Sequence, residues 1–199
     1  MLGWAPMALV HSTDSVLDSP APAFSLPGVD GLVYSLDSFN DRKGLLVVFM
    51  CNHCPYVVAV HERLSALARE FQPKGVAVIG INSNDPLYKD ADSFENMVKT
   101  AKAWNLPFPY VFDETQAVAR AYDAVCTPDP YLYENTPSGF RLRYRGRVDD
   151  SWQDPSKVKE QSLRLAMEAV ASGAAPSPGQ IPSMGCSIKW KELTPARKG

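Results

Sequence analysis

The run Met50-Cys51-Asn52-His53-Cys54-Pro55 sets two cysteines three positions apart with a histidine between them. Two thiols at that spacing can cycle between dithiol and disulfide, supply half of a zinc site, or sit as inert buried groups. The flanking sequence favours the first. Leu45-Leu46-Val47-Val48-Phe49 is an unbroken apolar run that reads as a buried strand. Tyr56 to Phe71 has helical periodicity, with Val57, Val60, Leu64, Leu67 and Phe71 on one face. The cysteines therefore fall where a strand hands over to a helix. The first turn of a helix carries unpaired N–H groups and the positive end of the macrodipole. A thiol there has its pKa lowered from about 8.5 to about 3.5–7.5. On this reading Cys51 is the exposed nucleophile and Cys54, one turn further in, is the shielded resolving thiol. His53 places an imidazolium beside the Cys51 thiolate.

Two further cysteines are auxiliary thiols. Cys126 reads as a resolving thiol, a metal ligand or a small core residue. Cys186 lies in a tail whose Ile188 and Trp190 suggest docking on the domain. The expectation is no metal and no cofactor beyond the disulfide itself. If metal were held, Cys51, Cys54 and Cys126, with His53, would be the ligands, and soft thiolates would favour Cu(I) or zinc.

The elements that must position these groups follow from the pattern. Residues 1–19 read as a loose lead-in, 20–172 as the domain and 173–199 as the tail. Strands are expected at 32–36, 45–50, 76–82, 110–112, 129–133 and 140–144. Helices are expected at 56–71, from Asp92 to about Trp104, at 116–122 and from Pro155 to about Ala171. Asp92 and Glu95 read as the capping box of the second of these, with Phe94, Met97, Val98, Ala101 and Trp104 as its apolar stripe. Alternation in the first half gives parallel crossovers, and a late hairpin adds antiparallel strands. Arg141, Arg143, Arg145 and Arg147 alternate along that hairpin and read as solvated edge residues.

Totals exclude several classes. A net charge of −2 without a long basic run argues against nucleic acid. No apolar stretch reaches the length of a membrane span. Trp4 to Val10 is only mildly apolar, and no Lys or Arg precedes Arg42, so a secretory signal is not expected. The expected location is the cytoplasm, where four cysteines point to catalysis or metal rather than structural disulfides.

The element order, with its CxxC after the second strand, resembles the thioredoxin superfamily over roughly residues 20–172. Ala21-Pro22-Ala23-Phe24-Ser25-Leu26 and Tyr34-Ser35-Leu36-Asp37-Ser38-Phe39 are similar to segments of its redoxin branch, which holds AhpC/TSA peroxiredoxins and TlpA/ResA-like oxidoreductases. The cysteine run, Cys126-Thr127-Pro128-Asp129-Pro130 and Gly185-Cys186-Ser187-Ile188-Lys189-Trp190 resemble a peroxiredoxin-like CxxC subgroup. The resemblance implies an α/β, thioredoxin-like fold: a central mixed sheet flanked by helices, with an N-terminal extension and a C-terminal tail. It implies a cis bond between Thr127 and Pro128, facing the CxxC, with the Thr127 backbone free to pair with an extended substrate peptide. It also implies a thiol–disulfide oxidoreductase in which Cys51 attacks and Cys54 resolves. The expected partners are a protein or small-molecule disulfide and a thiol reductant, with a monomer or weak homodimer as the assembly. The alternatives are a non-classical thiol peroxidase of antioxidant type and a thiolate metal-delivery module. Peroxiredoxins carry a threonine three residues before the reactive cysteine, but Val48 precedes Cys51 and Cys51 precedes Cys54 at that distance. Met50 replaces the usual thioredoxin tryptophan, and residues 45–50 contain no carboxylate. Proton handling for Cys54 then falls to His53 or Asp129.

Overall fold

The computed structural model describes residues 9–191. Residues 1–8, which hold most of the stretch weighed as a leader, and tail residues 192–199 lie outside the described residues. The strands are β1 (Leu9–His11), β2 (Ser25–Pro27), β3 (Val33–Ser35), β4 (Gly44–Phe49), β5 (Val76–Asn82), β6 (Tyr110–Phe112), β7 (Cys126–Thr127), β8 (Asp129–Thr136), β9 (Gly139–Arg145) and β10 (Met184–Ser187). The α-helices are α1 (Pro55–Phe71), α2 (Phe94–Ala103), α3 (Ala117–Ala121) and α4 (Ser162–Ser172).

Every residue of β4 and β5 is buried because the central sheet is covered on both faces. Its order is β6-β5-β4-β8-β9, with β4, β5 and β6 parallel and β8 and β9 antiparallel. The two-residue period of a strand divides β4 between two cores. Leu46 and Val48 face one core, with Val57, Val60, Leu64 and Phe71 of α1 and Leu163, Met167 and Val170 of α4. Leu45, Val47 and Phe49 face the other, with Val118 and Ala119 of α3, Tyr131 and Tyr133. Helix α1 runs on through a 3-10 turn, Gln72–Lys74, and stops at Gly75, whose φ of 92° is left-handed and open to glycine.

Three expectations differ from what is found. The lead-in and the tail each contribute a strand, and β1, β10 and β7 form a small antiparallel sheet in that order. The second helix begins one residue later than the capping-box reading, because Ser93 is its N-cap and accepts from the Asn96 N–H at 3.4 Å. Of its expected stripe Met97 is fully buried, whereas Phe94 and Val98 are exposed. Arg145 is not a solvated edge residue. It is buried beneath the N-terminal segment and paired to Asp129 at 2.8 Å.

Candidate active site

Strand β4 delivers the cysteines to the C-terminal end of the parallel sheet, and α1 begins at Pro55. Proline suits that first helical position because its missing N–H would have no partner there. Cys54 is consequently the N-cap, and Cys51 lies before the helix. Both cysteines are completely buried. As a thiol, Cys54 donates to the Thr127 carbonyl at 3.2 Å, and Cys51 Sγ lies 3.5 Å from Thr127 Oγ1. The Thr127–Pro128 bond is cis.

These positions move the charge away from where the sequence suggests. The Cys186 thiol, then the Cys51 thiol, and the N–H groups of Val57 and Cys186 all support a negative Cys54 sulfur, holding Cys54 well below the ordinary thiol range. The Val57 contact is looser than a closed cap hydrogen bond, so the neighbouring thiols dominate. Burial, then the bond to Cys54 and the negative field of Asp92, push Cys51 well above that range. The two sulfurs are coupled, and the donors gathered around Cys54 favour a negative charge there. The expected exposure of Cys51 at the head of the helix is therefore corrected. Neither is exposed, and the N-cap position belongs to Cys54.

Asp92 is the residue that sequence reasoning missed. Starting the helix at Ser93 turns the Asp92 carboxylate inward, fully buried, onto the cysteine loop. Its Oδ1 accepts from the Asn52 N–H at 2.8 Å and its Oδ2 from Asn84 Nδ2 at 2.8 Å. His53 Nδ1 stands 2.7 Å from the same Oδ2. That contact is close but not a straight hydrogen bond, since the N–H direction misses the acceptor. The Tyr110 hydroxyl donates to Asn52 Oδ1 at 3.0 Å and holds the loop from below. A signal was present in the polar run Asn82-Ser83-Asn84-Asp85, which leaves β5 beside the end of β4. Polar groups gathered at the carboxyl ends of neighbouring parallel strands mark a site.

Asp129, the other candidate for proton handling, is not at the site. It shares a face of β8 with Tyr131, the side opposite α1. There its carboxylate accepts from Arg145 at 2.8 and 3.4 Å and from the Tyr131 hydroxyl at 3.1 Å. Cys126 also points away. It sits across from Ser187 while Thr127 sits across from Cys186, so the two neighbours face opposite sides. The Cys126 thiol lies 4.0 Å from the Pro128 carbonyl, and burial pushes it far up. The metal set Cys51, Cys54 and Cys126 is thus not assembled. Among the described residues the cluster that could hold an ion is Cys51, His53 and Asp92, with ligand atoms within 4.8 Å of one another.

A cover of chain closes the site. Strand β10 pairs with β7 on one side and β1 on the other. Ser183 Oγ donates to the Pro128 carbonyl at 2.6 Å, and the Ile188 N–H donates to Val125 at 2.9 Å. Lys189 is fixed through Asn84 and Gln116, and Arg120 lies over the Trp190 ring at 4.4 Å. Only glycine fits at 185, because a Cβ there would lie 1.9 Å from the Thr127 carbonyl oxygen. Beside the cover is a cleft of about 280 Å³, lined by residues including Tyr56, Pro128, Trp152, Ser183 and Met184. The Tyr56 and Trp152 rings lie 4.1 Å apart.

Comparison with known proteins places this arrangement. An uncharacterized conserved protein from Geobacillus kaustophilus is 42% identical, with a TM-score of 0.89 over 96% of this chain and 100% of that one. A hypothetical protein from Sinorhizobium meliloti is 38% identical, with a TM-score of 0.86 over 92% of this chain and 99% of that one. The thioredoxin domain of a Bacteroides vulgatus thiol-disulfide oxidoreductase is 21% identical, with a TM-score of 0.54 over 67% of this chain and 91% of that one, a likeness of fold. No match was found among curated proteins. The fold is thioredoxin-like. The AhpC/TSA family pattern matches residues 17–150, more than half the chain, and the chain belongs to the AhpC/TSA family.

Proposed function

We propose that this protein is a thiol–disulfide oxidoreductase whose redox centre is the Cys51/Cys54 pair. The observation that carries the reading is the division of labour between the two sulfurs. Cys54 is surrounded by donors, and Cys51 sits beside the buried Asp92–His53 pair. In the forward direction the Cys54 thiolate attacks a substrate disulfide, forming a mixed disulfide and releasing one substrate thiolate. Cys51 then loses its proton to His53 and attacks Cys54 Sγ. The Cys51–Cys54 disulfide closes and the second substrate thiolate leaves, so the substrate is reduced by two electrons and the protein oxidised by two. Asp92 holds the charge that His53 gains. A thiol reductant reverses the cycle, and no further cofactor takes part.

The test is a trapping experiment with a disulfide-bonded peptide. Cys51→Ser combined with Cys186→Ser leaves Cys54 without a neighbouring thiol to release it. The expected product is the peptide linked to Cys54, whereas Cys54→Ser should yield no adduct. Capture at Cys51 in Cys54→Ser instead would reverse the roles. Rapid consumption of peroxide with a dithiol reductant, without turnover of disulfides, would replace this reading by the peroxidase one. The arginines of the hairpin count against the latter, since Arg143 pairs with Glu134 and Asp18, Arg145 with Asp129 and Arg147 with Glu160.

The Cys51, His53 and Asp92 cluster keeps a metal reading in view. Two ligands sharing a zinc at about 2.0–2.1 Å sit roughly 3.3 Å apart in tetrahedral geometry. The His53–Asp92 separation of 2.7 Å is closer than that and suits direct contact between the two side chains. Titration of the reduced protein with zinc or Cu(I) decides it, and stoichiometric tight binding would favour metal.

A further inference from the structure

The edge of β7 is where the resemblance puts a substrate peptide, and the chain fills that edge itself. Cys186 of β10 stands directly across from Thr127. Directly opposed residues of an antiparallel pair project to the same face, so Cys186 joins Thr127 on the side of the CxxC. It packs in one cluster with Cys51 and Cys54, and its thiol and N–H both favour a negative Cys54 sulfur. The missing side chain of Gly185 lets the strand come this close. Three sulfurs thus meet at Cys54, and one rides on a strand laid in the position of a substrate.

We propose that Cys186 is a third redox-active thiol, which exchanges with the Cys51–Cys54 disulfide to form a Cys54–Cys186 disulfide. The inference rests on the dithiol reading above. In the step the Cys186 sulfur gives up its proton and attacks Cys54 Sγ. The Cys54–Cys186 bond forms, the Cys51–Cys54 bond breaks, and Cys51 leaves as thiolate and takes up the proton. No electron is gained or lost. The surroundings suit the direction of the step. The bond to the Cys54 sulfur, then burial and the Cys54 charge, keep the Cys186 thiol protonated in the reduced protein, while the Lys189 ammonium acts the other way. Once Cys54 is in a disulfide the first and third of these influences are gone, and Lys189 remains. The protein then has two oxidised forms, and the second ties the tail covalently to the head of α1.

Disulfide mapping of the full chain tests this. Wild type, Cys51→Ser and Cys126→Ser are equilibrated in glutathione buffers, quenched in acid, alkylated and digested without reduction. Wild type and Cys126→Ser should give both the Cys51–Cys54 peptide and the peptide joining Cys54 to Cys186, with alkylation of Cys186 falling several-fold on oxidation. Cys51→Ser should give the Cys54–Cys186 bond as its intramolecular disulfide. A Cys51–Cys54 bond in wild type with Cys186 fully alkylated throughout, and only a glutathione adduct on Cys54 in Cys51→Ser, would overturn the proposal and leave the dithiol reading standing. Absence of Cys51–Cys54 from oxidised wild type would instead sink the dithiol reading, and the Cys51→Ser arm still judges Cys186 alone. Far-UV circular dichroism of each variant separates these outcomes from misfolding.

Discussion

Gly185→Ala should open the site without altering any group that does chemistry. The added Cβ would meet the Thr127 carbonyl oxygen at 1.9 Å, and ordinary contact begins at 3.4 Å, so β10 must retreat by about 1.5 Å. Carbonyl and strand are both backbone, and neither can swing aside as a flexible side chain would. A retreat of that size breaks the hydrogen bonds that β10 makes with β7 around Thr127 and Cys126. Two such bonds at about 0.5–1.5 kcal/mol each weaken the closed state by about 1–3 kcal/mol. The open fraction then rises by about 5- to 150-fold. Alkylation of a buried thiol tracks that fraction when reclosing outpaces the reagent. The assay is the rate of iodoacetamide labelling at Cys51 and Cys54, read peptide by peptide, beside the urea midpoint of each protein. Labelling of both sulfurs should accelerate within that range, with Cys54 ahead because it holds the charge. Unchanged labelling in a folded variant would refute the idea that β10 is what shields the thiols.

Other perturbations follow from the same contacts. His53→Gln removes the group that takes the Cys51 proton, and closing of the Cys51–Cys54 bond at neutral pH should slow by about 100-fold or more, measured by rapid acid quench and alkylation. Asp92→Asn should slow the same step less and shift its pH profile, while an unchanged profile would make Asp92 purely structural. Asp129→Ala leaves the buried Arg145 without its carboxylate partner and should cost about 3–5 kcal/mol in urea unfolding. Burial pushes the Asp129 carboxyl up to about 6 from an ordinary 3.8 despite Arg145. A raised acid binds its proton more tightly in the folded state. Its contribution to stability is therefore largest at low pH and declines as pH rises from about 4 to about 6. Asp129→Asn should remove that slope from urea midpoints taken across the window. Leu64→Ala, fully buried under the sheet, should cost about 2–5 kcal/mol.

Much of the frame was legible because it rests on local periodicity. The buried runs at 45–50 and 76–82 could be little but strands covered on both faces, and the apolar face of α1 is Val57, Val60, Leu64, Leu67 and Phe71 as spaced. What escaped depends on register and on distant pairing. Moving one helix start from Asp92 to Ser93 converts a surface cap into a buried counter-charge, and capping statistics do not resolve a single residue. Arg145 and Arg143 are two residues apart on one strand and look alike in sequence, but the N-terminal segment covers the first and leaves the second partly open. Strands as short as β1 and β10 have too few residues for alternation to register, and both are defined by pairing with segments distant in sequence.

The pairing of β1 with β10 also sets an order in time. Cys186 follows Cys54 out of the ribosome by about 130 residues. At about 5–20 residues per second, roughly 7–26 s pass between them. Throughout that interval the dithiol has no roof and stands open to any thiol around it. Sealing waits for β10 to be made, and a chain stalled before Met184 should label at both sulfurs where the released protein resists.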